Sequence, residues 1–168
     1  MRRIFEHIGN QIRKVIDFFY PPFRKYMSAQ FFRYGVSGSA NLMFDWVLYY
    51  FIYTFILQHQ MLNLGFVTIS SHIATFGIKF PIVFMSGFLL QKYVTFTESE
   101  LRGHVQLFRY LIVFLVNILI NYAGLKLLVD GFNIYPSISN MIASSVTVFV
   151  SYFSQKKYTF KAPKKVVY

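Results

Sequence analysis

The chain has 168 residues, with 17 Lys and Arg against 6 Asp and Glu, a formal net charge of +11, 55% hydrophobic content and mean hydropathy of +0.45. That hydrophobicity exceeds ordinary globular usage and leaves little sequence for a soluble domain. The absence of cysteine excludes disulfides and thiol chemistry, and the positive charge needs no nucleic acid, because a basic skirt facing anionic membrane lipids accounts for it.

Residues 2–20 form a charged amphipathic stretch. Ile4, Ile8, Ile12, Val15, Ile16 and Phe19 recur at helical spacing, with Arg2, Arg3, Arg13, Lys14 and Asp17 between them. The stretch is too polar to span a bilayer, and an interfacial helix on the inner leaflet fits it. Pro21-Pro22 ends it, since proline lacks a donor and clashes with the preceding turn. The N-terminus shows no apolar h-region followed by small residues, so no cleavable signal is expected.

Four long apolar runs follow, near 34–57, 69–90, 107–129 and 134–153. An α-helix rises about 1.5 Å per residue, so about 20 apolar residues cross a ~30 Å hydrocarbon core. The first run opens with Gly35, Ser37, Gly38, Ser39 and Ala40, small residues that let helices approach closely in lipid. It also carries Asn41 and Asp45, one turn apart on one face. An ionisable group at the bilayer centre costs about 2.5–3.5 kcal/mol on insertion scales. The second run holds His72, Lys79 and Pro81, the last a potential kink. Asp45 lies 12 residues after Arg33, and Lys79 lies 13 before Lys92. Both therefore sit ~18–20 Å from the cytoplasmic edge at the helical rise, and equal depth allows an ion pair. The loop 58–68, with His59, is short, and the loop 91–106, with Glu98, Glu100, Arg102 and His104, reads as a solvated turn. The third run carries Asn117 and Asn121, and Lys126 near its outer end can snorkel. The fourth is rich in small residues, Ala143, Ser144, Ser145 and Ser151. Residues 161–168 form a basic tail.

The chain repeats itself. Phe32-Arg33-Tyr34 recurs as Phe108-Arg109-Tyr110, and Asn41 and Asp45 recur as Asn117 and Asn121, all at an offset of 76. Gln91-Lys92-Tyr93-Val94-Thr95-Phe96 recurs as Gln155-Lys156-Lys157-Tyr158-Thr159-Phe160 with an offset of 64 across its Gln-Lys starts and Thr-Phe ends. These matches predict an all-α membrane protein with four transmembrane helices in two tandem hairpins of one orientation, related by an axis along the membrane normal and preceded by an interfacial helix. The domain reading is an amphipathic segment at 1–30, a membrane domain at 31–160 and a tail at 161–168. Of the 17 Lys and Arg, 15 fall before the first run, between the second and third, or after the fourth. The positive-inside rule therefore places both termini and the middle loop in the cytoplasm of an inner-membrane protein.

No catalytic constellation, metal-ligand spacing or glycine-rich phosphate loop is present, so neither an enzyme, a cofactor nor a metal is expected. What stands out is a symmetric set of polar groups. Arg33, Lys92, Arg109 and Lys156 should lie at one cytoplasmic level, where such cations suit phosphate. Asn41, Asp45, Lys79, Asn117 and Asn121, with Gln91 and Gln155, supply polar groups inside the bundle.

Arg33-Tyr34-Gly35-Val36-Ser37-Gly38-Ser39-Ala40-Asn41, followed by Asp45, resembles the first-helix motif of the GtrA-like family. The endings at 91–96 and 155–160 resemble that family's motif at the close of helices two and four, with Gln-Lys where Asn-Arg is usual. The resemblance covers about 130 residues, 30–160, and is shared with the membrane domain of dolichyl-phosphate-mannose-type synthases. It implies translocation of a polyprenyl-phosphate-linked sugar for cell-surface polysaccharide or glycan synthesis. Arg33, Lys92, Arg109 and Lys156 would attract the phosphate, and the intramembrane polar groups would receive sugar hydroxyls. Four spans make a thin wall, so a homo-oligomer is expected, and a glycosyltransferase is a natural partner. Two other readings compete. One is a non-transporting scaffold that positions a glycosyltransferase. The other is a proton-coupled exporter of cations using Asp45, against which the charge of Lys79 counts.

Overall fold

The structure is a computed structural model that describes residues 2–58, 60–63, 68–99 and 101–162. His59, Glu100 and the tail beyond residue 162 lie outside the described residues. Backbone contacts divide the chain into two compact units, residues 1–95 and 96–168.

In the first unit, α1 (Arg2–Phe18) stops ahead of Pro21-Pro22, which open a short 3₁₀ turn, Pro21–Phe23. The connection is tied down locally. Tyr20 Oη donates to Met27 O at 2.8 Å, and the rings of Phe23 and Phe32 stack at 5.1 Å. Ser28 caps α2 (Ala29–Phe51), its hydroxyl accepting from Phe31 N at 3.3 Å. A π-helical turn, Ile52–Ile56, extends α2. The following loop contains a small antiparallel pair, β1 (Leu62–Asn63) with β2 (Thr68–Ile69), which the sequence reading did not anticipate. Two-residue strands satisfy some loop backbone groups but carry no hydrophobic period to read. α3 (Ser71–Leu90) runs uninterrupted through Pro81 and passes into a π-helical turn, Gln91–Thr95.

α1 packs against this hairpin through a narrow contact. A Cβ at Gly9 would lie 2.6 Å from Tyr93 O, so only glycine permits the approach. Phe5 stacks on Tyr93 at 5.8 Å, and Ile16 is buried. Ile4, Ile8, Val15 and Phe19, on the other half of the apolar arc, remain exposed.

In the second unit, α4 (Gly103–Lys126) ends in a π-helical turn, Leu127–Gly131, and α5 (Pro136–Ser154) ends in another, Gln155–Thr159. Proline at the first turn of α5 removes a donor that has no intrahelical partner. Asn133 takes φ of 52° in the connection, a left-handed position that asparagine tolerates. Gly124 lets the helices close, since a Cβ there would sit 3.4 Å from Ala143 Cβ. At the other end Phe96 and Phe160 stack at 5.1 Å, with Tyr152 and Tyr110 against them.

The solvated turn expected at 91–106 needs correction over half its length. Gln91, Val94, Thr95 and Phe96 are buried, as is Gln106. Four of the five larger helices thus close in a π-helical turn, a rare geometry in which one widened turn re-aims several side chains. Outer faces are apolar, with Met43, Trp46, Val47, Leu119 and Tyr122 exposed, while Ser37, Thr75, Lys79 and Ser151 are buried. Apolar outside and polar inside is the arrangement of an all-α membrane protein. Two helical stretches among the described residues, Ser71–Thr95 and Gly103–Gly131, are long and apolar enough to cross a bilayer.

Candidate functional site

Within α2, Asn41 and Asp45 lie one turn apart and face α3. Lys79 Nζ donates to both Asp45 carboxylate oxygens, each at 2.7 Å. The side chains are 11% and 23% exposed, so the pair is largely screened from surroundings that could solvate either charge alone. The ammonium also lies 5.2 Å from the Tyr49 ring centroid and 5.8 Å from that of Phe76. Toward the end of α2, Tyr49 Oη is 2.9 Å from His72 Nδ1, and Tyr53 stacks on the imidazole. Toward the start of α2, Asn41 Nδ2 donates to Val83 O at 3.3 Å and Asn41 Oδ1 accepts from Ser86 Oγ at 2.6 Å. Asn41, Asp45 and Lys79 thus satisfy one another or close neighbours.

Arg33, at the start of the motif, is engaged by α1. Its Nε and Nη2 donate to Asp17 Oδ1 and Oδ2, each at 2.7 Å, a two-pronged pair. Its carbonyl accepts from Ser37 Oγ, which in turn lies 3.4 Å from Thr95 Oγ1. Gln91 is buried, with its carboxamide oxygen lacking a partner among the described residues. Lys92 lies 5.6 Å from the Phe88 ring and 5.3 Å from that of Tyr93.

The second unit repeats the layout without the acid–base pair, having Asn121 and Ala143 in place of Asp45 and Lys79. Arg109 Nη1 donates to Tyr158 O at 2.8 Å and its guanidinium lies 4.9 Å from that ring. Asn117 Nδ2 and Gln155 Nε2 both donate to Ser151 Oγ, at 2.8 and 3.1 Å. Asn121 Nδ2 donates to Ser144 Oγ at 3.3 Å. Lys156 Nζ is 3.5 Å from Tyr152 Oη. The motif offset of 64 sets Ala143 opposite Lys79, so the second repeat loses acid and base together. That coupling is what a desolvated ion pair demands, because removing one partner alone strands a charge. Asn117 Oδ1 is buried with no partner among the described residues.

Each unit has a cavity beside its polar column. In the first, about 300 Å³ lies between α1, α2 and α3, bounded by Phe5, Ile8, Ile12, Phe44 and Leu89, with Asn41 and Ser86 at its wall. In the second, about 440 Å³ runs along α4 and α5, lined by Asn117, Asn121, Tyr122 and Thr147 among apolar residues. Sequence reasoning missed Asp17, Ser86, Ser151 and Ser144 as partners. An acid near the close of a mostly basic α1 was the available signal for Asp17, whereas serines in membrane helices are too common to single out.

A family model described as the GtrA/DPMS transmembrane domain matches residues 33–160. The chain belongs to this family. The match begins at the arginine of the first motif and ends at Phe160, so it contains both GtrA-type hairpins and leaves α1 outside. No similar curated protein and no similar solved structure was found. Family membership associates the membrane domain with polyprenyl-phosphate sugar metabolism.

Proposed function

We propose that this protein translocates a polyprenyl-phosphate-linked sugar across the inner membrane, with α2, α3, α4 and α5 as four spans and both termini cytoplasmic. The observation that carries the reading is the paired construction. Each hairpin has an arginine at one end, a Gln-Lys π turn beside it, and amide or charged groups deeper in the same helix pair. Cations at the cytoplasmic level suit a phosphate, and uncharged hydrogen-bonding groups above them suit sugar hydroxyls. The second unit offers the better seat for a sugar. Its open groove is lined by Asn117, Asn121 and Thr147 among apolar residues. In the first unit Asp45 and Lys79 consume each other's charge. A homo-oligomer supplies further walls.

The test is sugar-lipid flipping in proteoliposomes. The parent is compared with Arg33→Ala plus Arg109→Ala, with Asp45→Asn, and with Asp45→Asn plus Lys79→Ala, which copies the second repeat. Protein-dependent flipping that falls in the arginine variant supports the reading. A parent indistinguishable from empty liposomes, with its fold verified and several sugar-lipids tried, overturns it.

One observation favours a second reading. α1 presents exposed Ile4, Ile8 and Val15 on one side and exposed Arg3, His7 and Lys14 on another, a surface able to engage a glycosyltransferase as well as a bilayer. As a scaffold, the protein would tolerate Asp45→Asn plus Lys79→Ala but not deletion of residues 1–22.

A further inference from the structure

We infer that the cavity beneath α1 seats the isoprenoid chain of the lipid, and that Asp17 holds Arg33 in place of the lipid's phosphate until the lipid displaces it. The isoprenoid identity of the chain rests on the function proposed above; the competition for Arg33 rests on geometry. The cavity, about 300 Å³, falls at the low end of the range for ligand sites. It is a partly open groove roofed by Ile12 of α1, with the half-exposed Ile8 at its rim and Ala40 and Phe44 of α2 and Leu89 of α3 as its walls. Asn41 and Ser86 border it but hydrogen-bond to each other at 2.6 Å, so a hydrocarbon chain entering there breaks no polar contact.

The register fits an amphiphile. Phe44 follows Arg33 by 11 residues, about 16 Å along a helix. A phosphate on Arg33 therefore leaves its chain alongside the cavity. The guanidinium fork accepts a carboxylate or a phosphate by the same two-pronged geometry, and Asp17 already fills it at 2.7 Å on both prongs. Asp17 adjoins the buried Ile16 that seats α1, so losing this ion pair frees the arginine and loosens the roof in one event. α1 is thus a strap over the chain site, fastened by a carboxylate that imitates the ligand's head.

The experiment uses the full chain in nanodiscs and farnesyl monophosphate bearing a diazirine on its chain. Adducts are expected on the cavity walls, and Ala40→Trp, which places an indole at a residue lining the cavity, should suppress them. Asp17→Asn should tighten binding about fivefold, the equilibrium equivalent of an ion pair worth ~1 kcal/mol, and Asp17→Glu should restore the parental affinity. Spin labels on introduced cysteines at His7 and Met43, in a chain with no native cysteine, should report a longer or broader separation once farnesyl phosphate is added. Weaker or unchanged binding in Asp17→Asn, adducts spread evenly over the helices, or an unmoved spin-label distance overturns the inference. Dodecyl phosphate competing as well as unlabelled farnesyl phosphate overturns the isoprenoid assignment. No arm requires transport, so a protein that binds as expected yet fails to flip would sink the translocation reading and leave this one standing.

Discussion

Asp45 and Lys79 define what a charge inside this molecule must do. With the two side chains 23% and 11% exposed, either alone would be stranded. Removing one partner of such a pair costs about 3–5 kcal/mol, whereas replacing both is often neutral. Lys79→Ala should therefore lower thermal stability sharply, and Asp45→Asn similarly. The double variant should recover most of the loss, as Asn121 and Ala143 already coexist in the second repeat. Thermal unfolding in detergent of the two singles and the double closes the cycle; additive losses would show that the residues do not stabilise each other. This pair was legible in the sequence because depth can be counted from the flanking cations. Asp17 with Arg33 was not, because a 16-residue separation across two prolines gives no helical register to count. The serines that receive Asn117 and Asn121 were equally silent, since hydrogen-bond direction depends on helix rotation.

At the scale of elements, the length of apolar runs located four of the larger helices and helical spacing the amphipathic first one, but neither showed how four of them end. Period identifies which face is buried; it cannot distinguish a widened last turn from an ordinary one. Gln91–Thr95 and Gln155–Thr159 therefore looked like loop entrances, although their motif repetition marked them as special. Phe160 is the anchor of the second such turn, buried against Phe96. Phe160→Ala should destabilise the second unit by about 3 kcal/mol, the usual size for emptying an aromatic site. Hydrogen exchange should show the loss concentrated in the amides of 152–160. The contact of α1 with the first hairpin is narrower. Gly9→Leu drives a side chain into the Tyr93 backbone, and overpacking of this kind costs about 1–3 kcal/mol. Limited proteolysis should then cleave within 2–20 far faster while the α2–α3 hairpin resists; unchanged cleavage would mean that α1 does not depend on this contact.

At the scale of the molecule, duplication and charge distribution together carry the proposed topology. If each repeat crosses the bilayer twice, as proposed, two repeats that share a motif at each end would enter and leave the membrane on the same side. Lys and Arg cluster before α2, between α3 and α4, and after α5, while the connections between α2 and α3 and between α4 and α5 have none at 58–68 and 130–133. On the proposed topology, the positive-inside rule would put those basic segments in the cytoplasm. The chain's lack of cysteine makes the prediction direct to check. Single cysteines at Asn10 and Thr97 should react with a membrane-impermeant maleimide only from the cytoplasmic side. Cysteines at Met61 and Phe132, both exposed, should react only from the outside. Labelling of Asn10 and Thr97 from opposite sides would break the even-span hairpin. It would also remove the physical reason for reading Arg33 and Arg109 as equivalent cations, since the repeats would then face opposite surfaces.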